Sequence, residues 1–519
     1  MNDRILTVEQ MIFCEHKSDE MGVSLAALMD NAGKKLAEHI LDKCSNDTKN
    51  IVILLGKGNN GGDGLVAANI LAEKNFVPTI ILCCGEPATD LSKAAYNKLN
   101  KKVSVYEYSD NDDIADKILN ADILVDCIFG TGFKGEIREK MHRLFSVCNN
   151  CKGYIIACDI PSGANAVSGQ ASSYTIKADL TVTFHARKIG MMLSPAKYFC
   201  GEIITEDIGI PHEIYSIDSE KLSDVISCGY DKDYFKGILP DRKKWGHKGT
   251  FGKLVSVCGS ESYIGAAGIS ALSALRTGVG LVNLCTPKSV INSLSSRILE
   301  CTYSAMKTDA DGFMTAENFK TILDKLSSAQ CLLLGCGLGH TSETEKLVAQ
   351  LIENSPCPIV LDADGINSLC PNIDVLLKKK SSVIITPHPA ELARLCNVST
   401  ADVLSDRQKY ASQLAKKYRI TVVSKGAETL LCSGDLTRII DVGNTALSKG
   451  GSGDMLAGII ASFVAQRYDC DQCNAWLGCY IMGKTAEMVS ETKSQRSIIA
   501  SDIIESLPVF LKKLEMETE

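Results

Sequence analysis

The chain has 519 residues, of which 45% are hydrophobic and 23% charged, as is usual for soluble globular proteins. This length exceeds one typical domain. The net charge of −7 argues against a basic surface for nucleic acid or for an anionic membrane. No apolar run approaches the roughly 20 residues that span a bilayer, and the N-terminus lacks the layout of a signal peptide. We therefore expect a cytoplasmic protein of several domains that binds neither nucleic acid nor membrane.

The 22 cysteines are scattered through apolar runs instead of forming a regular framework. This distribution is typical of buried, reduced thiols in a cytoplasmic protein. Cys148 and Cys151 form a lone C-x-x-C with no second pair to complete a zinc site, and we expect no metal there.

The N-terminal part alternates short apolar runs with amphipathic stretches, which predicts an α/β domain with a Rossmann-like, three-layer αβα arrangement. We place this domain at 1–215 and a polar linker at 216–234. Helices are predicted at 25–40, 64–74 and 91–99. Buried parallel strands are predicted at 51–55, 79–83, 123–128, 154–158 and 180–184.

Three of these strands end in glycine-rich segments that carry oxygen side chains. The first leads into 56–64, with Asn59, Asn60 and Asp63. The other two place Asp126 before 129–136 and Asp159 before Ser162. Because the carboxyl ends of parallel strands face one crevice, these groups could together bind a cation or a polar ligand. The alternative is that Asp126 and Asp159 only cap turns.

The motifs Asn-Asn-Gly-Gly-Asp-Gly at 59–64, Gly-Thr-Gly-Phe-Lys-Gly-Glu at 130–136 and Asp-Ile-Pro-Ser-Gly at 159–163 resemble the NAD(P)H-hydrate epimerase domain, of the YjeF N-terminal type. The resemblance implies a potassium ion bound by Asn60, Asp126 and Ser162. It implies that Asp159 is the acid/base at C6 of the reduced nicotinamide ring and that Lys134 assists. The implied substrate-binding residues are Asn59, Asn60, Gly61, Gly62, Asp63, Gly130, Thr131, Gly132, Phe133, Lys134, Gly135, Glu136 and Asp159.

A second α/β block is predicted at 235–510. It begins with a strand within 252–260 and a small-residue helix from Gly265. Further strands are predicted at 281–285, 331–334, 359–361, 383–385 and 421–424, and helices at 454–466 and 475–490.

Segment 445–454 is the most informative part of this block. It places Gly450, Gly451, Ser452 and Gly453 immediately before Asp454 and a strongly apolar run. A chain that enters a helix through such residues presents free N–H groups and the positive end of the helix dipole to an anion. A carboxylate beside a bound phosphate suits a base that acts on a hydroxyl. The alternative is a glycine-rich turn that Asp454 caps.

Other strand ends should share this crevice. They include 335–339, 362–365, 386–391 and 425–429. His388 lies between two prolines and precedes Glu391, and the sequence leaves open whether it is structural or catalytic.

This second block resembles the ribokinase-like superfamily, in its NAD(P)H-hydrate dehydratase branch (YjeF C-terminal type). The resemblance rests on Lys248-Gly249, on 263–267 and 335–339, on Thr-Pro-His-Pro-Ala-Glu at 386–391, on Lys-Gly-Ala-Glu-Thr at 425–429 and on the Gly-Gly-Ser-Gly-Asp loop. Cys336 departs from the family, which commonly has proline there. The implied substrate-binding residues are Ala266, Gly337, His388, Pro389, Ala390, Glu391, Leu392, Ala393, Arg394 and Asp454.

The resemblance also implies an ADP site with Mg²⁺. Its residues are Lys425, Gly426, Ala427, Glu428, Thr429, Thr445, Ala446, Leu447, Ser448, Lys449, Gly450, Gly451, Ser452 and Gly453.

Together the two resemblances imply a bifunctional repair enzyme for NAD(P)H hydrate. The first domain would interconvert the R and S forms, and the second would dehydrate the S form while ADP becomes AMP and phosphate, with Asp454 as the base. Bacterial relatives generally use ADP and eukaryotic ones ATP, and the fused chain favours ADP. The expected partners are the small molecules NADHX, NADPHX and ADP, in a homo-oligomer. Two alternatives stay open, a kinase of a hydroxylated vitamin precursor and a non-catalytic nucleotide-binding scaffold.

Overall fold

The computed structural model of the protein describes residues 4–45, 48–217, 222, 225–228, 239, 242, 244–466 and 470–518. The chain divides into two compact units, Met1–Ser227 and Cys228–Glu519. The predicted linker at 216–234 lies largely outside the described residues.

The N-terminal unit contains a parallel sheet in the order β4-β3-β2-β5-β6-β7-β9. The strand order reverses between β2 and β5, which is where ligands bind in open α/β sheets. The strands of this unit are Ile5–Leu6 (β1), Ile51–Leu55 (β2), Thr79–Leu82 (β3), Ser104–Glu107 (β4), Ile123–Cys127 (β5), Tyr154–Cys158 (β6), Leu180–Phe184 (β7), Arg187–Lys188 (β8), Glu202–Glu206 (β9) and Val225–Cys228 (β10).

Helices cover both faces of this sheet. Alternate side chains of a strand point to opposite faces, and apolar side chains on both faces need to be covered. In β2, Ile53 and Leu55 pack in one apolar cluster, and Val52 and Leu54 pack in the other. The predicted three-layer αβα fold is therefore confirmed. The helices are Val8–Glu20, Leu25–Lys43, Asn59–Glu73, Asp90–Asn97, Asp112–Leu119, His142–Asn149 and Ile214–Ile217, with 3-10 turns at Glu139–Met141, Ile189–Met192 and Ala196–Phe199.

The C-terminal unit contains a sheet in the order β13-β12-β11-β14-β15-β16-β17-β18-β19, parallel as far as β17 and antiparallel from there. Its order reverses between β11 and β14. The strands are Lys253–Val257 (β11), Leu281–Pro287 (β12), Thr302–Met306 (β13), Cys331–Leu334 (β14), Ile359–Leu361 (β15), Val383–Ile385 (β16), Thr421–Ser424 (β17), Thr429–Ser433 (β18) and Leu436–Ile440 (β19).

Apolar clusters also fill both faces of this second sheet. Among the described residues, no helix is both long and apolar enough to cross a membrane. The helices of the unit are Ile264–Arg276, Lys288–Leu294, Phe319–Leu326, Ser342–Asn354, Asp364–Asn367, Pro389–Cys396, Thr400–Ser405, Arg407–Tyr418, Ser452–Gln466, Asp471–Ser490 and Ala500–Thr518, with 3-10 turns at Ala316–Asn318, Ile373–Lys378 and Thr445–Leu447.

The helix predicted at 64–74 begins five residues earlier, at Asn59, so that prediction of its start was wrong. Gly58 has an extended backbone and precedes the first turn. A β-carbon on Gly61 would lie 2.2 Å from the carbonyl oxygen of Gly56, and this close approach is open to glycine alone. The segment predicted to be a loop is therefore largely the first turn of a helix.

The cysteine prediction was wrong at one pair. Cys470 and Cys473 form a second C-x-x-C, which the sequence analysis overlooked, and they are joined by a disulfide. The pair lies at the start of Asp471–Ser490, where the Cys470 sulfur accepts from the Cys473 N–H. The other described cysteines are free thiols, Cys148 and Cys151 among them.

The close packing of Ser452–Gln466 on Ile264–Arg276 generates a stability prediction. A β-carbon on Gly458 would lie 2.2 Å from the Ser270 carbonyl oxygen, whereas one on Gly265 would meet nothing within 4 Å. We expect Gly458→Ala to lower the free energy of unfolding by about 1–3 kcal/mol. The matched Gly265→Ala should change it by less than about 1 kcal/mol. Urea unfolding followed by Trp476 fluorescence measures both, and equal stabilities would contradict this packing.

Candidate active sites

A cavity of about 890 Å³ opens at the carboxyl edge of the N-terminal sheet, beside the point where the strand order reverses. Three predicted residues do not line it: Gly61 and Gly62, which are buried within Asn59–Glu73, and Gly135. Most of the predicted epimerase-site residues line this cavity, namely Asn59, Asn60, Asp63, Gly130, Thr131, Gly132, Phe133, Lys134, Glu136 and Asp159.

Asp159 follows β6 directly and has a left-handed backbone, with φ of 67°. Its carboxylate accepts a hydrogen bond of 3.2 Å from Thr183 and forms an ion pair with Lys188. The Lys188 side chain is only 2% exposed, and its ammonium also donates to the Thr183 hydroxyl (2.8 Å) and the Phe184 carbonyl (3.2 Å). Thr183, Phe184 and Lys188 thus fix the position of the Asp159 carboxylate.

Three further carboxyl groups, those of Glu15, Asp63 and Glu136, line the same cavity. Burial, followed by the neighbouring charges of Asp159 and Glu15, raises the pKa of Asp63 well above its usual range. Burial, followed by the charge of Asp159, also raises the pKa of Glu15. The cavity therefore combines an ion-paired carboxylate with two carboxyl groups that hold protons more readily than exposed ones do.

The three predicted potassium ligands lie around the backbone of Phe129. The Asn60 amide donates to the Phe129 carbonyl (3.1 Å), and the Phe129 N–H donates to the Ser162 hydroxyl (2.8 Å). Asp126 is fully buried and accepts from the Ser162 hydroxyl (2.6 Å), the Ser162 N–H (2.7 Å) and the Ile128 N–H (3.2 Å). Burial raises the pKa of Asp126 to about 6. These partners are neutral, and the donor set of carboxylate, hydroxyl, amide and carbonyl oxygens fits a hard cation.

In the C-terminal unit, Asp362 follows β15 and is 1% exposed. One of its oxygens, Oδ1, accepts from the Thr386 hydroxyl (2.6 Å) and from the Lys425 ammonium (2.8 Å). Thr386 and Lys425 follow the neighbouring strands β16 and β17 directly. Although burial opposes its charge, the carboxylates of Asp362 and Glu391 raise the pKa of Lys425, so this ammonium stays charged.

Asp454 lies in the first turn of Ser452–Gln466. Among the described residues, no backbone carbonyl accepts from the N–H groups of Gly453 and Asp454, so both can bind an anion. A β-carbon on Gly453 would lie 3.3 Å from the Lys425 ammonium, which shows how near this cation is. Burial, followed by the charge of Asp362, raises the pKa of Asp454 to about 6.

Three other parts of the predicted dehydratase site are the contact between Gly337 and Ala266, the helix cap His388 and the buried Glu391. A β-carbon on Gly337 would lie 2.8 Å from that of Ala266, so these two residues lie against each other. His388 caps Pro389–Cys396, because its Nδ1 accepts from the Ala390 N–H at 3.2 Å. Burial raises the pKa of Glu391 to about 7.

Two predicted nucleotide contacts make other interactions in this structure. The Lys449 ammonium donates to the Arg496 and Ile498 carbonyls at 2.6 and 2.5 Å, and Thr445 donates to Gln495 at 2.5 Å. Their side chains therefore fasten the segment before Ser452–Gln466 to the chain that follows Asp471–Ser490.

Glu15, Lys188 and the central position of Asp362 were not predicted from the sequence. Asp362 had a signal, since it follows an apolar strand in the manner of Asp159. Lys188 had none, because a single lysine outside the predicted strands and motifs resembles any surface lysine until the fold buries it.

Comparisons with known proteins cover nearly the whole chain. Residues 25–190 match the family model described as YjeF-related protein N-terminus, and 254–509 match that described as NAD(P)H-hydrate dehydratase. The bifunctional NAD(P)H-hydrate repair enzyme Nnr of Moorella thermoacetica is 32% identical over 97% of this chain and 95% of its own length. The enzyme of the same name from Escherichia coli is 30% identical over 94% of this chain and 90% of its own length.

One solved structure is the ADP/ATP-dependent NAD(P)H-hydrate dehydratase of Bacillus subtilis, co-crystallised with ATP/Mg²⁺. Its sequence is 26% identical to this chain. The match covers 55% of this chain and 97% of the Bacillus subtilis chain, with a TM-score of 0.46.

The buried ion pair of Lys188 generates a second stability prediction. Lys188→Met should lower the free energy of unfolding of the N-terminal unit by about 3–5 kcal/mol, because it leaves the Asp159 carboxylate without its cation. The control is Lys35→Met. Lys35 pairs with Glu38 and Glu206, but its side chain is 34% exposed, so this substitution should lower the free energy of unfolding by less than about 1 kcal/mol. Denaturant unfolding measures both, and a Lys188→Met variant as stable as the control would contradict a buried pair.

Proposed function

This chain belongs to the family of bifunctional NAD(P)H-hydrate repair enzymes, and on that premise we propose that each of its two units catalyses one of the two repair reactions. The N-terminal unit epimerises the R and S forms of NAD(P)H hydrate. The C-terminal unit dehydrates the S form to NAD(P)H at the expense of a nucleotide. The observation that carries the proposal is Asp454, a carboxylate beside free helix N–H groups and the Lys425 ammonium.

Epimerisation requires that water leave C6 of the ring and return on the other face. Asp159 is the group we assign to this proton transfer, since its left-handed backbone and its bonds to Thr183 and Lys188 hold the carboxylate at the cavity wall. Lys188 acts as a positioning residue that keeps Asp159 fixed. Asp63 and Glu15, with their raised pKa values, can supply the proton that a departing hydroxyl needs.

A potassium ion in the N-terminal unit is supported by the oxygen donors of Asn60, Asp126 and Ser162 and by the neutral partners of Asp126. One carboxylate among neutral oxygens suits a monovalent better than a divalent ion. Because Asn60 lies in the first turn of the helix Asn59–Glu73, which lines the cavity, a cation there would hold Asn60 and the Phe129 backbone in place for the substrate.

Dehydration requires that a poor leaving group, hydroxide, become a good one. Asp454 takes the proton of the C6 hydroxyl, and the oxygen attacks the terminal phosphorus of the nucleotide. The Gly453 and Asp454 N–H groups, with Lys425, stabilise the charge of the transferring phosphoryl group. The C6–O bond then breaks with phosphate as the leaving group, the ring nitrogen supplies the electron pair, and loss of a C5 proton restores the double bond.

We take ADP as the phosphoryl donor, with ATP as the alternative. Mg²⁺ prefers oxygen ligands, and the carboxylates of Asp362 and Asp364, whose charges both raise the pKa of Asp454, would supply them. Bound there, Mg²⁺ would neutralise phosphate charge. Rates measured side by side with ADP and ATP decide between the donors.

The two alternatives left open by the sequence are a vitamin-precursor kinase and a non-catalytic scaffold. A kinase would retain its phosphate in a stable ester, and it would have no use for the cavity of about 890 Å³ in the N-terminal unit. A scaffold would not need the polar groups that line this cavity. Family membership and the cavity together argue against both.

A pair of variants tests the division of labour. Asp454→Asn should reduce nucleotide-dependent dehydration of the S form by about 100-fold or more and leave epimerisation intact, because an amide cannot take the hydroxyl proton. Asp159→Asn should strongly reduce epimerisation and leave nucleotide-dependent dehydration intact. Asp435→Asn, with a side chain 66% exposed, is the control and should change neither activity. Recovery of reduced-ring absorbance measures dehydration and chiral chromatography measures epimerisation. Substantial dehydration by Asp454→Asn would remove this residue from the role of base.

Potassium dependence tests the cation site. Replacing LiCl by KCl at equal ionic strength should raise the melting temperature of the N-terminal unit by several degrees, because a ligand that binds the native state stabilises it. Asp126→Asn should abolish the difference between the salts, while the control Asp113→Asn, 72% exposed, should keep it. Equal melting temperatures of the unmodified protein in both salts would contradict the site.

A further inference from the structure

The thiol of Cys336 lies between two carboxylates of the C-terminal site. Its sulfur is 3.8 Å from Oδ2 of Asp362. One ligand atom from each of Cys336, Asp362 and Asp454 lies within 4.8 Å of the other two. Cys336 is fully buried and Asp362 is 1% exposed. The proposed reaction has no use for this sulfur.

The fold brings these three groups together at the point where the strand order reverses. Cys336 follows β14 by two residues, and Asp362 follows the adjacent strand β15 directly. A β-carbon on Gly335, which has φ of 120°, would lie 2.2 Å from the Asp362 carbonyl oxygen. The turn therefore holds Cys336 against Asp362 with little freedom to move away.

We propose that Cys336, Asp362 and Asp454 form a binding site for a thiophilic divalent cation of the Zn²⁺ class. Zinc is bound by thiolate at about 2.3 Å and by carboxylate at about 2.0–2.2 Å, so tetrahedral ligands lie about 3.5 Å apart. Shifts of about 1 Å or less would bring the three ligand atoms to these separations. The fourth position is free for water or for a phosphate oxygen.

The local charges agree with such an ion. Lys425 and Thr386 both bond to Oδ1 of Asp362, which leaves Oδ2, the oxygen nearest the sulfur, for the metal. Binding displaces the thiol proton to solvent and forms the metal–sulfur bond, so two carboxylates and one thiolate face a dication. The soft sulfur ligand distinguishes this ion from Mg²⁺, which prefers oxygen.

Occupation of the site has a consequence for the reaction. A metal-bound Asp454 carboxylate cannot accept the proton of the substrate hydroxyl. Zinc should therefore inhibit dehydration, and this consequence rests on the proposed function, whereas the binding itself does not.

The binding test uses the full-length protein with its Cys470–Cys473 disulfide intact, and Co²⁺ as a spectroscopic substitute for zinc. Co²⁺ should produce a near-ultraviolet sulfur-to-metal charge-transfer band that saturates at one equivalent and disappears when Zn²⁺ displaces it. Cys336→Ser and Cys336→Ala should lose the band, or bind at least about tenfold more weakly. The matched control is Cys331→Ala, also fully buried and at the opposite end of the same strand, which should keep the band.

An unchanged band in both Cys336 variants, or an unmodified protein without a band, would overturn the site whatever the activity. Circular dichroism checks that each variant is folded.

The inhibition test compares each protein with its own rate in the absence of zinc. Saturating Zn²⁺ should slow dehydration by the unmodified protein at least about tenfold, and Cys336→Ala should need at least about tenfold more zinc for the same effect. Epimerisation in the same tube controls for general damage by the metal. A Cys336-dependent band without inhibition would contradict the capture of Asp454 and would separate that failure from failure of the site.

Discussion

Each unit buries a carboxylate near the carboxyl end of a central parallel strand, and the surrounding site is organised by the need to satisfy that charge. Asp126 in β5 is fully buried, and Asp362 after β15 is 1% exposed. A buried charge is costly unless it is paired or hydrogen bonded. Asp126 accepts hydrogen bonds from Ser162 and from the backbone N–H at 128. Asp362 accepts hydrogen bonds from Thr386 and Lys425. Adjacent strand ends are thereby held in fixed relative positions.

The two units satisfy this constraint in different ways. In the C-terminal unit, a protein ammonium neutralises Asp362, and the same ammonium lies beside the free N–H groups of a helix that can bind phosphate. In the N-terminal unit, neutral donors surround Asp126, and the charge suits a small cation. The lysine of the N-terminal cavity instead pairs with Asp159. One fold class thus accommodates both proposed sites, one for phosphoryl transfer and one for proton transfer.

Apolar strands were predicted well from the sequence, and partly exposed ones were not. Ile51–Leu55, Cys331–Leu334 and Val383–Ile385 have the predicted bounds, because a short apolar run between turn residues is a strong local signal. Ser104–Glu107 is largely exposed, so its sequence carried no such signal. The antiparallel hairpin of Thr429–Ser433 and Leu436–Ile440 was hidden because 425–429 was interpreted by its resemblance to a nucleotide-binding segment.

The site residues also divide into those that have a local sequence signal and those that do not. Motif residues such as Asn60, Asp159 and Asp454 could be proposed from the sequence because glycines and strand ends mark them locally. Lys188 and Cys336 contact residues distant in sequence, and only the fold brings Lys188 to Asp159 and Cys336 to Asp362. Local sequence patterns predict the glycine-rich segments that we propose bind phosphate or substrate. They do not predict which charged side chain from elsewhere in the chain is buried against those segments.

The central claim is that the hydroxyl oxygen of the substrate becomes an oxygen of the released phosphate. The direct measurement uses the Asp159→Asn variant, whose N-terminal unit should not exchange the C6 oxygen with water, and S hydrate labelled with ¹⁸O at the C6 hydroxyl, with unlabelled nucleotide and water. After complete dehydration, mass spectrometry of the inorganic phosphate should find one ¹⁸O atom in each molecule formed. Unlabelled phosphate, with the ¹⁸O in water, would mean that the hydroxyl leaves without phosphorylation, and it would contradict the role of Asp454 as the base for phosphoryl transfer.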